Sequence, residues 1–388
     1  MLSLPLHRKR RLLPLQETSN TEPDVAQADE SLVDNDHNYK SESRHSNTSD
    51  SSLSSLIMKV DQCVLRHEIQ ELKKENIELE KQIKYAKMHF TYAAVKSNDS
   101  LVNHYTGLPS AEEFDGLLEL CRRFDYNYYY GWRVETLSDE DQLFLTLMKL
   151  RSNFTVTDLA VRFSVSVASI SNITMTWISI LYEVLYMGMM RNAKIPSVLK
   201  NKGSLPSCFS TFSGCRMILD CTEIQCAIPG NMEAQRSTFS HYKQRNTFKA
   251  LVGVAPNGVI TYVSDLYPGS VSDKEIVRHC GVLNHFEAGD LIIADKGFLI
   301  QDLLPSGVLL NIPPFLTHGQ FTKAQASVTV VIARARIHVE RAIQRMKTFG
   351  ILDFFPHQYR SVASKIFKVV ACLVGLQNPL IKEIESKD

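Results

Sequence analysis

The sequence lacks several features, and each absence excludes a class of protein. Its eight cysteines form no CxxC pair and no Cys/His block with zinc spacing, so we predict free, mostly buried thiols and no structural zinc. The longest apolar runs, such as 366–376, fall short of the ~20 residues that span a bilayer, so no transmembrane helix and no membrane partner are expected. The 43 basic residues nearly equal the 42 acidic ones, which excludes a uniformly basic coat. Apolar residues precede the first basic cluster, the reverse of a secretory signal, so an intracellular protein is expected.

The 388 residues are enough for two or three domains, and 44% apolar composition can bury at least one large core. Residues 1–55 are rich in Ser, Asn, Asp and Glu. Such a segment has too little apolar area to offset the entropy of ordering, so a disordered tail is predicted. The basic cluster at 8–11 is a nuclear import signal, a nucleic-acid contact or a solvated charge run. The expected location is the nucleus, with the cytoplasm also open.

Residues 58–92 carry the heptad pattern of a short coiled coil. A polar Asn76 at an a position, between Ile69 and Ile83, favours a parallel two-stranded register, so a homodimer is predicted. A single amphipathic helix docked on the body is the alternative, because about three heptads are near the minimum for the pattern. The seam of the coiled coil lies within 65–86 and consists of Leu65, Ile69, Leu72, Asn76, Leu79, Ile83 and Ala86.

Residues 110–192 are predicted to be almost entirely helical, with start signals at Ser110 and Ser138. Three helices with a tight turn between the second and third form the pattern of a helix-turn-helix, whose last helix enters the major groove. A structural three-helix bundle is the alternative, because the reading positions carry no Lys or Arg to neutralise phosphate. The three helices are expected at Asp141–Leu150, Thr155–Phe163 and Val167–Trp177, and the reading positions are Ala168, Ser169, Ser171 and Asn172.

From residue 214 the pattern changes to strands, and a mixed α/β domain is predicted over 214–384. A capping box at Ser272 and Glu275 marks a helix between the third and fourth strands. The order is therefore three strands, a helix, a strand and a long helix. The strands are expected at Arg216–Ile224, Phe248–Ala255, Val259–Ser264 and Leu291–Asp295, and the long helix at 328–349.

Three acids occupy informative places in this domain. Asp220 and Asp295 follow strongly apolar strand segments, and Glu340 is the one acid on the long helix. Hydrolysis of a phosphodiester by hard cations needs carboxylates that converge where two metals lie ~3.5–4 Å apart. Neighbouring strands can deliver two acids to one edge of a sheet, and a helix packed on that sheet can deliver the third. Each acid taken alone is also explained as a surface charge or a helix cap.

Seven motifs, in this order, resemble those of PIF/Harbinger-type transposases, DDE superfamily endonucleases with an RNase H-like core. The resemblance spans 137–384 and is closest to the group in which THAP proteins carry such a domain. It implies an α/β RNase H-like core with a mixed five-stranded sheet and helices, and a helix-turn-helix within 137–177. The motifs are LSDEDQLFLTLMKLRSNFTVTDLAVRFSVSVASIS, ILDCTEI, YKQRNTFKALVGVAPNG, YPGSVSDKEI, DLIIADKGF, IPPF and RIHVERAIQRMK.

The resemblance also implies the site. Asp220, Asp295 and Glu340 would be the catalytic triad and bind Mg²⁺ or Mn²⁺, and Asp273 is either a fourth ligand or a helix-terminal acid that suits the helix dipole. His338, two residues before Glu340, is expected on another helix face, in a phosphate or core-edge contact. DNA contacts are expected from bases near these acids, although a solvated loop explains 241–245 equally well. The DNA-binding candidates are Lys243, Arg245, Lys296, Arg336, Arg341, Arg345 and Lys347.

One family feature is missing from the sequence. Residues 1–100 contain no Cys and His pattern of a THAP zinc domain, so sequence-specific DNA binding would have to come from a partner protein or another isoform. The first hypothesis for function is a divalent-metal-dependent DNA endonuclease with a two-metal mechanism. The alternative is a catalytically idle, domesticated transposase that acts as a DNA- or protein-binding module.

Overall fold

The computed structural model describes residues 7–8, 50–88, 90–193, 195–202, 205–314 and 322–380. By its contacts the chain divides into two units, one of residues 10–89 and one of residues 1–9 with 90–388. The predicted disordered tail lies outside the described residues except at 7–8 and 50–55. Residues 50–55 are helical, which corrects the predicted end of the tail.

The described part of the smaller unit is a single helix, α1 (Asp50–Met88). The seam positions from Leu65 to Leu79 are all exposed, with Leu72 at 58% and Leu79 at 48%. The side chains of Ile83 and Ala86 lie outside the description. The helix ends at Met88 rather than at residue 92, and Tyr92 is fully buried in the core of the other unit. The dimer stays a prediction.

A helical block opens the larger unit. The start signals at Ser110 and Ser138 are confirmed, because each side-chain hydroxyl accepts a hydrogen bond from a backbone N–H two or three residues further on. Residues 123–138 are not helical, which corrects the prediction of a continuous helical block. They include β2 (Phe124–Asp125), which pairs antiparallel with β1 (His7–Arg8). The helices are α2 (Asp99–Thr106), α3 (Ala111–Arg122), α4 (Asp139–Ser152), α5 (Val156–Phe163) and α6 (Val167–Leu181).

The last helix of this block is the most apolar in the described chain. It continues from α6 into a π-helical segment, Tyr182–Met190. Together, Val167–Met190 is long and apolar enough by composition to cross a membrane, and apolar runs alone did not reveal it. Of its 18-residue apolar window, 61% is buried inside the protein, as in the central helix of a hydrophobic core.

A mixed sheet follows the helical block. Its strands are β3 (Cys215–Cys226), β4 (Phe239–Ser240), β5 (Arg245–Val254), β6 (Ile260–Val263), β7 (Tyr267–Pro268), β8 (Leu291–Ala294), β9 (Leu309–Asn311) and β10 (Phe354–Phe355). The strand order is β4-β5-β3-β8-β9; β6 and β7 also pair with β5, and β10 with β3. Strand β3 is antiparallel to β5 and parallel to β8. The four predicted strands are present, and the unpredicted ones have only two or three residues, too short for an alternating pattern to show.

Helices cover both faces of this sheet. The apolar stripe of the long helix is buried as predicted, from Ile332 to Met346, although the helix begins at 323 rather than 328. A helical block followed by a mixed sheet with helices is consistent with an RNase H-like core. The remaining helices are α7 (Val198–Lys202), α8 (Met232–Thr238), α9 (Asp273–Cys280), α10 (Lys323–Met346) and α11 (Ala363–Gly375).

Candidate active site and helix-turn-helix

The register of the sheet places Asp220 beside Asp295. Strands β3 and β8 run parallel with Leu219 opposite Ala294, so the next pair in that register is Asp220 and Asp295. Side chains alternate between the two faces of a strand. Ile218 and Ile293 belong to the hydrophobic cluster that includes the buried stripe of α10, so the acids two residues further on point toward the same helix.

Helix α10 delivers the third acid and a base to this edge. The guanidinium of Arg336 lies 2.9 Å from Asp295 Oδ1 through one terminal nitrogen and 3.4 Å from Glu340 Oε1 through the other. The side chains of both acids are about half exposed, at 48% and 53%, whereas Arg336 is 14% exposed. Two of the predicted triad residues are therefore bridged by one arginine.

Asp220 is the more enclosed acid of the three. Its pKa is raised to about 6, chiefly by burial and to a smaller extent by the charges of Asp295 and Glu340, although Arg336 and a 2.8 Å hydrogen bond from the Cys221 backbone N–H lower it. This influence agrees with the strand register, which sets Asp220 beside Asp295. Asp295 and Glu340 thus contact Arg336 directly, and Asp220 lies at the same edge of the sheet.

Replacing Asp220 by Asn is expected to stabilise the metal-free protein above pH 6. The pKa of this carboxyl is about 6 in the folded chain and 3.8 when unperturbed, so folding favours the protonated form. The stability that this carboxyl contributes is therefore fully present below pH 3.8 and is lost as pH rises through about 6. Asn mimics the protonated acid, so we expect a gain on the order of 2 kcal/mol at pH 8.

Urea unfolding of wild type and Asp220→Asn in EDTA, at pH 8 and again at pH 4, measures this gain. The advantage of the variant should disappear at the lower pH. An Asp302→Asn variant serves as the control, because that exposed acid contacts only the side chain of Lys274 among the described ion pairs. A variant that is less stable than wild type at pH 8 contradicts the interpretation.

Asp273 occupies a different place. It is the first residue of α9, after the N-cap Ser272, so the helix-start prediction is confirmed. Its carboxylate lies 3.3 Å from Lys249 Nζ, and it contacts Cys221, whose side chain points to the opposite face of β3 from Asp220. The structure does not bring Asp273 to the Arg336 bridge, and its role as a metal ligand stays a prediction.

The predicted DNA-binding bases differ in their surroundings. Arg336 contacts two of the acids directly. Lys347 comes directly after the last residue of α10, and the charges of Asp220 and Lys243 influence its pKa, which burial lowers. Arg345 instead donates to the Asn378 carbonyl, and Arg245 donates to Gln225 Oε1, while Arg341 and Lys296 are exposed. All seven DNA-binding roles stay predictions.

His338 lies at the edge of the core rather than in the acidic site. Its ring stacks against Phe209 with centroids 5.4 Å apart, and its Nε2 lies 3.3 Å from Cys208 Sγ. Burial lowers its pKa. The expected core-edge contact is confirmed.

The three helices α4, α5 and α6 form the predicted helix-turn-helix, with Thr155 and Ser166 as N-caps of the second and third. The reading positions are not all available. Asn172 is fully buried, and its amide is used inside the protein: Oδ1 accepts from the Tyr130 N–H at 3.1 Å, and Nδ2 donates to the Trp132 carbonyl at 2.8 Å. Asn172 is therefore not available as a reading position, because its polar atoms hold a loop.

That loop, residues 126–133, is a feature that the sequence analysis missed. Its backbone is held by Asn172 and by Thr176, whose hydroxyl accepts from the Tyr129 N–H at 2.9 Å. Three of its aromatic side chains stay exposed, at 40% for Tyr129, 56% for Tyr130 and 42% for Trp132. The run of aromatic residues was the signal in the sequence that could have revealed this loop. The loop, as well as the first turn of α6, shapes this face of the helical block.

The donor chemistry of the acidic site fits a divalent cation, since carboxylate oxygens are the ligands that Mg²⁺ and Mn²⁺ prefer. The spacing of these carboxylates in the structure does not fit such an ion. Within the ranges that the structure describes, no group of three or more His, Cys, Asp or Glu side chains is arranged to hold a metal ion. Instead, the guanidinium bridges the oxygens of Asp295 and Glu340 and supplies the positive charge at this edge.

Comparison with known families agrees with this architecture. Residues 219–378 match the DDE superfamily endonuclease family, and residues 135–186 match the helix-turn-helix of DDE superfamily endonuclease. The chain thus carries the endonuclease domain of a DDE transposase, preceded by the helix-turn-helix that accompanies it. This family supports nuclease or transposase function in general, and all three acids lie within the matched range. No curated protein and no solved structure matches the chain.

Proposed function

We propose that this protein is a DNA endonuclease of transposase origin that depends on Mg²⁺ or Mn²⁺ and has Asp220, Asp295 and Glu340 as its catalytic residues. One observation carries the proposal: Asp295 after a strand and Glu340 on the long helix contact a single guanidinium inside the endonuclease domain, and the parallel register sets Asp220 beside Asp295. Side chains so far apart in the chain share a neighbourhood only because the fold assembles them. The motifs quoted from the sequence favour the PIF/Harbinger, THAP-associated group within this class.

The residues of the chain divide the work by position. Asp220, Asp295 and Glu340 would hold the ions, which in a two-metal site activate the attacking water and stabilise the leaving 3′ oxygen. Asp295 and Glu340, being half exposed, face the side from which DNA can approach. Lys347, whose pKa responds to the charge of Asp220, would steer a phosphate toward the acids, together with its neighbour Lys243. No Ser or Tyr nucleophile is invoked.

A plasmid-nicking assay tests this function. Purified full-length protein should convert supercoiled DNA to the open circle with Mg²⁺ or Mn²⁺ and should lose that activity in EDTA. Nicking that persists in EDTA, or that no divalent ion supports, contradicts the proposal. If no divalent ion supports nicking, the alternative remains that the protein is a catalytically idle binding module. No feature of the site favours that alternative.

We also propose that the protein forms a homodimer through α1. The exposed apolar seam from Leu65 to Leu79 is what a second copy of the helix would cover. Such a dimer would present two endonuclease domains to DNA in the nucleus. A partner protein would supply the sequence specificity that the missing zinc domain leaves open.

Replacing Leu72 by Glu should convert the dimer to a monomer, because it places a charge at a d position inside the seam. We expect the dimer to weaken at least ~100-fold. Sedimentation velocity of the full chain measures the change. Ile77→Glu is the matched control: Ile77 is equally exposed on the same helix, at 54%, but lies outside the seam. A monomeric wild type, or equal effects of both substitutions, contradicts the dimer.

A further inference from the structure

Arg336 contacts two of the acids that are proposed to bind the ions. Its two terminal nitrogens reach carboxylates from two different elements, Asp295 after β8 and Glu340 on its own helix. The strand register sets Asp220, the third acid, beside Asp295. One arginine therefore pairs with two of the three acids, and the third lies next to one of them.

The arginine is not an ordinary surface ion pair. Pairs between residues four apart on a helix are common, but their bases extend into solvent. Arg336 is only 14% exposed, well below either acid, and its Nε is buried with no hydrogen-bond partner. The guanidinium thus contacts two carboxylates from a largely buried position, with one buried donor left unsatisfied.

The spacing of the oxygens follows from that geometry. A guanidinium contacts each carboxylate through a separate nitrogen at about 3 Å, whereas Mg²⁺ needs its oxygen ligands at ~2.0–2.1 Å from one centre. An ion that takes the two oxygens now in contact with Arg336, Oδ1 of Asp295 and Oε1 of Glu340, therefore has to displace the guanidinium from them. Within the described residues this agrees with the lack of any three-ligand group ready to hold an ion.

We propose that Arg336 is a built-in counter-cation that a divalent ion must displace before Asp220, Asp295 and Glu340 can close around it. The inference rests on the proposed function, because it takes the same acids as ion ligands. Arg336 is then a positioning residue: it keeps the acids assembled in the absence of metal and sets how tightly the site binds one. It is not free to contact DNA until the ion has replaced it.

Calorimetric titration of the full-length protein with Mn²⁺, without DNA, tests the competition. Arg336→Gln should bind Mn²⁺ about tenfold more tightly than wild type, the effect of removing one partly exposed ion pair. Arg336→Lys, which keeps the charge but has one nitrogen and cannot bridge two carboxylates, should lie between them. Arg334→Gln, an exposed arginine on the same helix, is the matched control and should bind as wild type does.

A second measurement is made on the wild-type protein, so its result does not depend on whether a variant folds. The Nε–H resonance of Arg336 in wild type, assigned by its loss in Arg336→Lys or by sequential experiments, should shift when Mg²⁺ saturates the protein. An unmoved resonance at saturation overturns the inference. So does Mn²⁺ binding by Arg336→Gln that is equal to or weaker than binding by wild type.

The proposed function fails in a different way. If Mn²⁺ binds wild type and Arg336→Gln equally and Asp295→Asn abolishes binding, the acids hold the ion and only the role of Arg336 is wrong. If neither wild type nor any variant binds Mn²⁺, the metal site itself is wrong, and this inference falls with it.

Discussion

Asp295→Asn should reduce metal-dependent nicking by at least ~10³-fold, the scale expected when one charged group of a preorganised catalytic site is removed. Asn keeps the size of the side chain but removes the charge that a divalent cation needs. The substitution also removes the ionic part of the 2.9 Å contact with Arg336, so Glu340 becomes the one acid paired with that arginine among the described ion pairs. The initial rate of open-circle formation, at saturating Mn²⁺, measures the effect.

The control for this loss is Asp302→Asn. Asp302 is an exposed acid in the same domain, paired with Lys274, and its removal should leave the nicking rate within about twofold of wild type. A thermal melt of each variant establishes that the fold is retained. If Asp295→Asn nicks as fast as Asp302→Asn does, the acids at the sheet edge are not the catalytic residues.

Gly269→Ala should destabilise the larger unit by about 3 kcal/mol, because the added methyl group would overlap backbone that cannot move aside. A Cβ at this position would lie 2.1 Å from Thr247 Oγ1, 2.8 Å from the Thr238 carbonyl oxygen and 2.9 Å from that of Thr247. The Thr247 hydroxyl donates to Glu223 Oε2 at 2.8 Å, so the disturbance reaches the middle strand of the sheet. Urea unfolding gives the change in free energy.

Gly230→Ala is the matched substitution for that experiment. A Cβ at Gly230 meets nothing within 4 Å, so its effect should stay within about 0.5 kcal/mol. Equal stabilities of the two variants would mean that the loop after β7 yields to accommodate the methyl group. The difference between them isolates the close approach at Gly269 from the general effect of replacing glycine.

The larger elements could be predicted because their signals are local. An apolar run before Asp220, another before Asp295 and a three-four stripe around Glu340 are visible in the sequence, and the structure has a strand or helix at each. The turn Pro256-Asn257-Gly258 fixes the hairpin of β5 and β6, with Gly258 at a φ of 89°. The caps at Ser138 and Ser272 likewise depend on neighbours only three residues away.

What could not be predicted depends on distant parts of the chain. The parallel register that sets Leu219 opposite Ala294 joins residues 75 apart, and no local pattern specifies it. In the sequence, Arg336 is one of several bases near Glu340. Its role could not be predicted, because its contact with Asp295 exists only after folding. Asn172 looked available for DNA for the same reason: its partners, Tyr130 and Trp132, come from a loop 42 and 40 residues earlier.

The burial of Asn172 limits how such a protein could be retargeted. From Asn172 to Leu181 every residue of α6 is buried, so exchanging this helix for that of a relative would disturb the hydrophobic interior before it changed any contact with a nucleic acid. The loop at 126–133 is tied to the helix by backbone hydrogen bonds to Asn172 and Thr176, and these do not depend on the identity of the loop side chains. Substituting side chains of that loop, with α6 left unchanged, is therefore the way to alter the preference for a nucleic acid that disturbs the hydrophobic interior least.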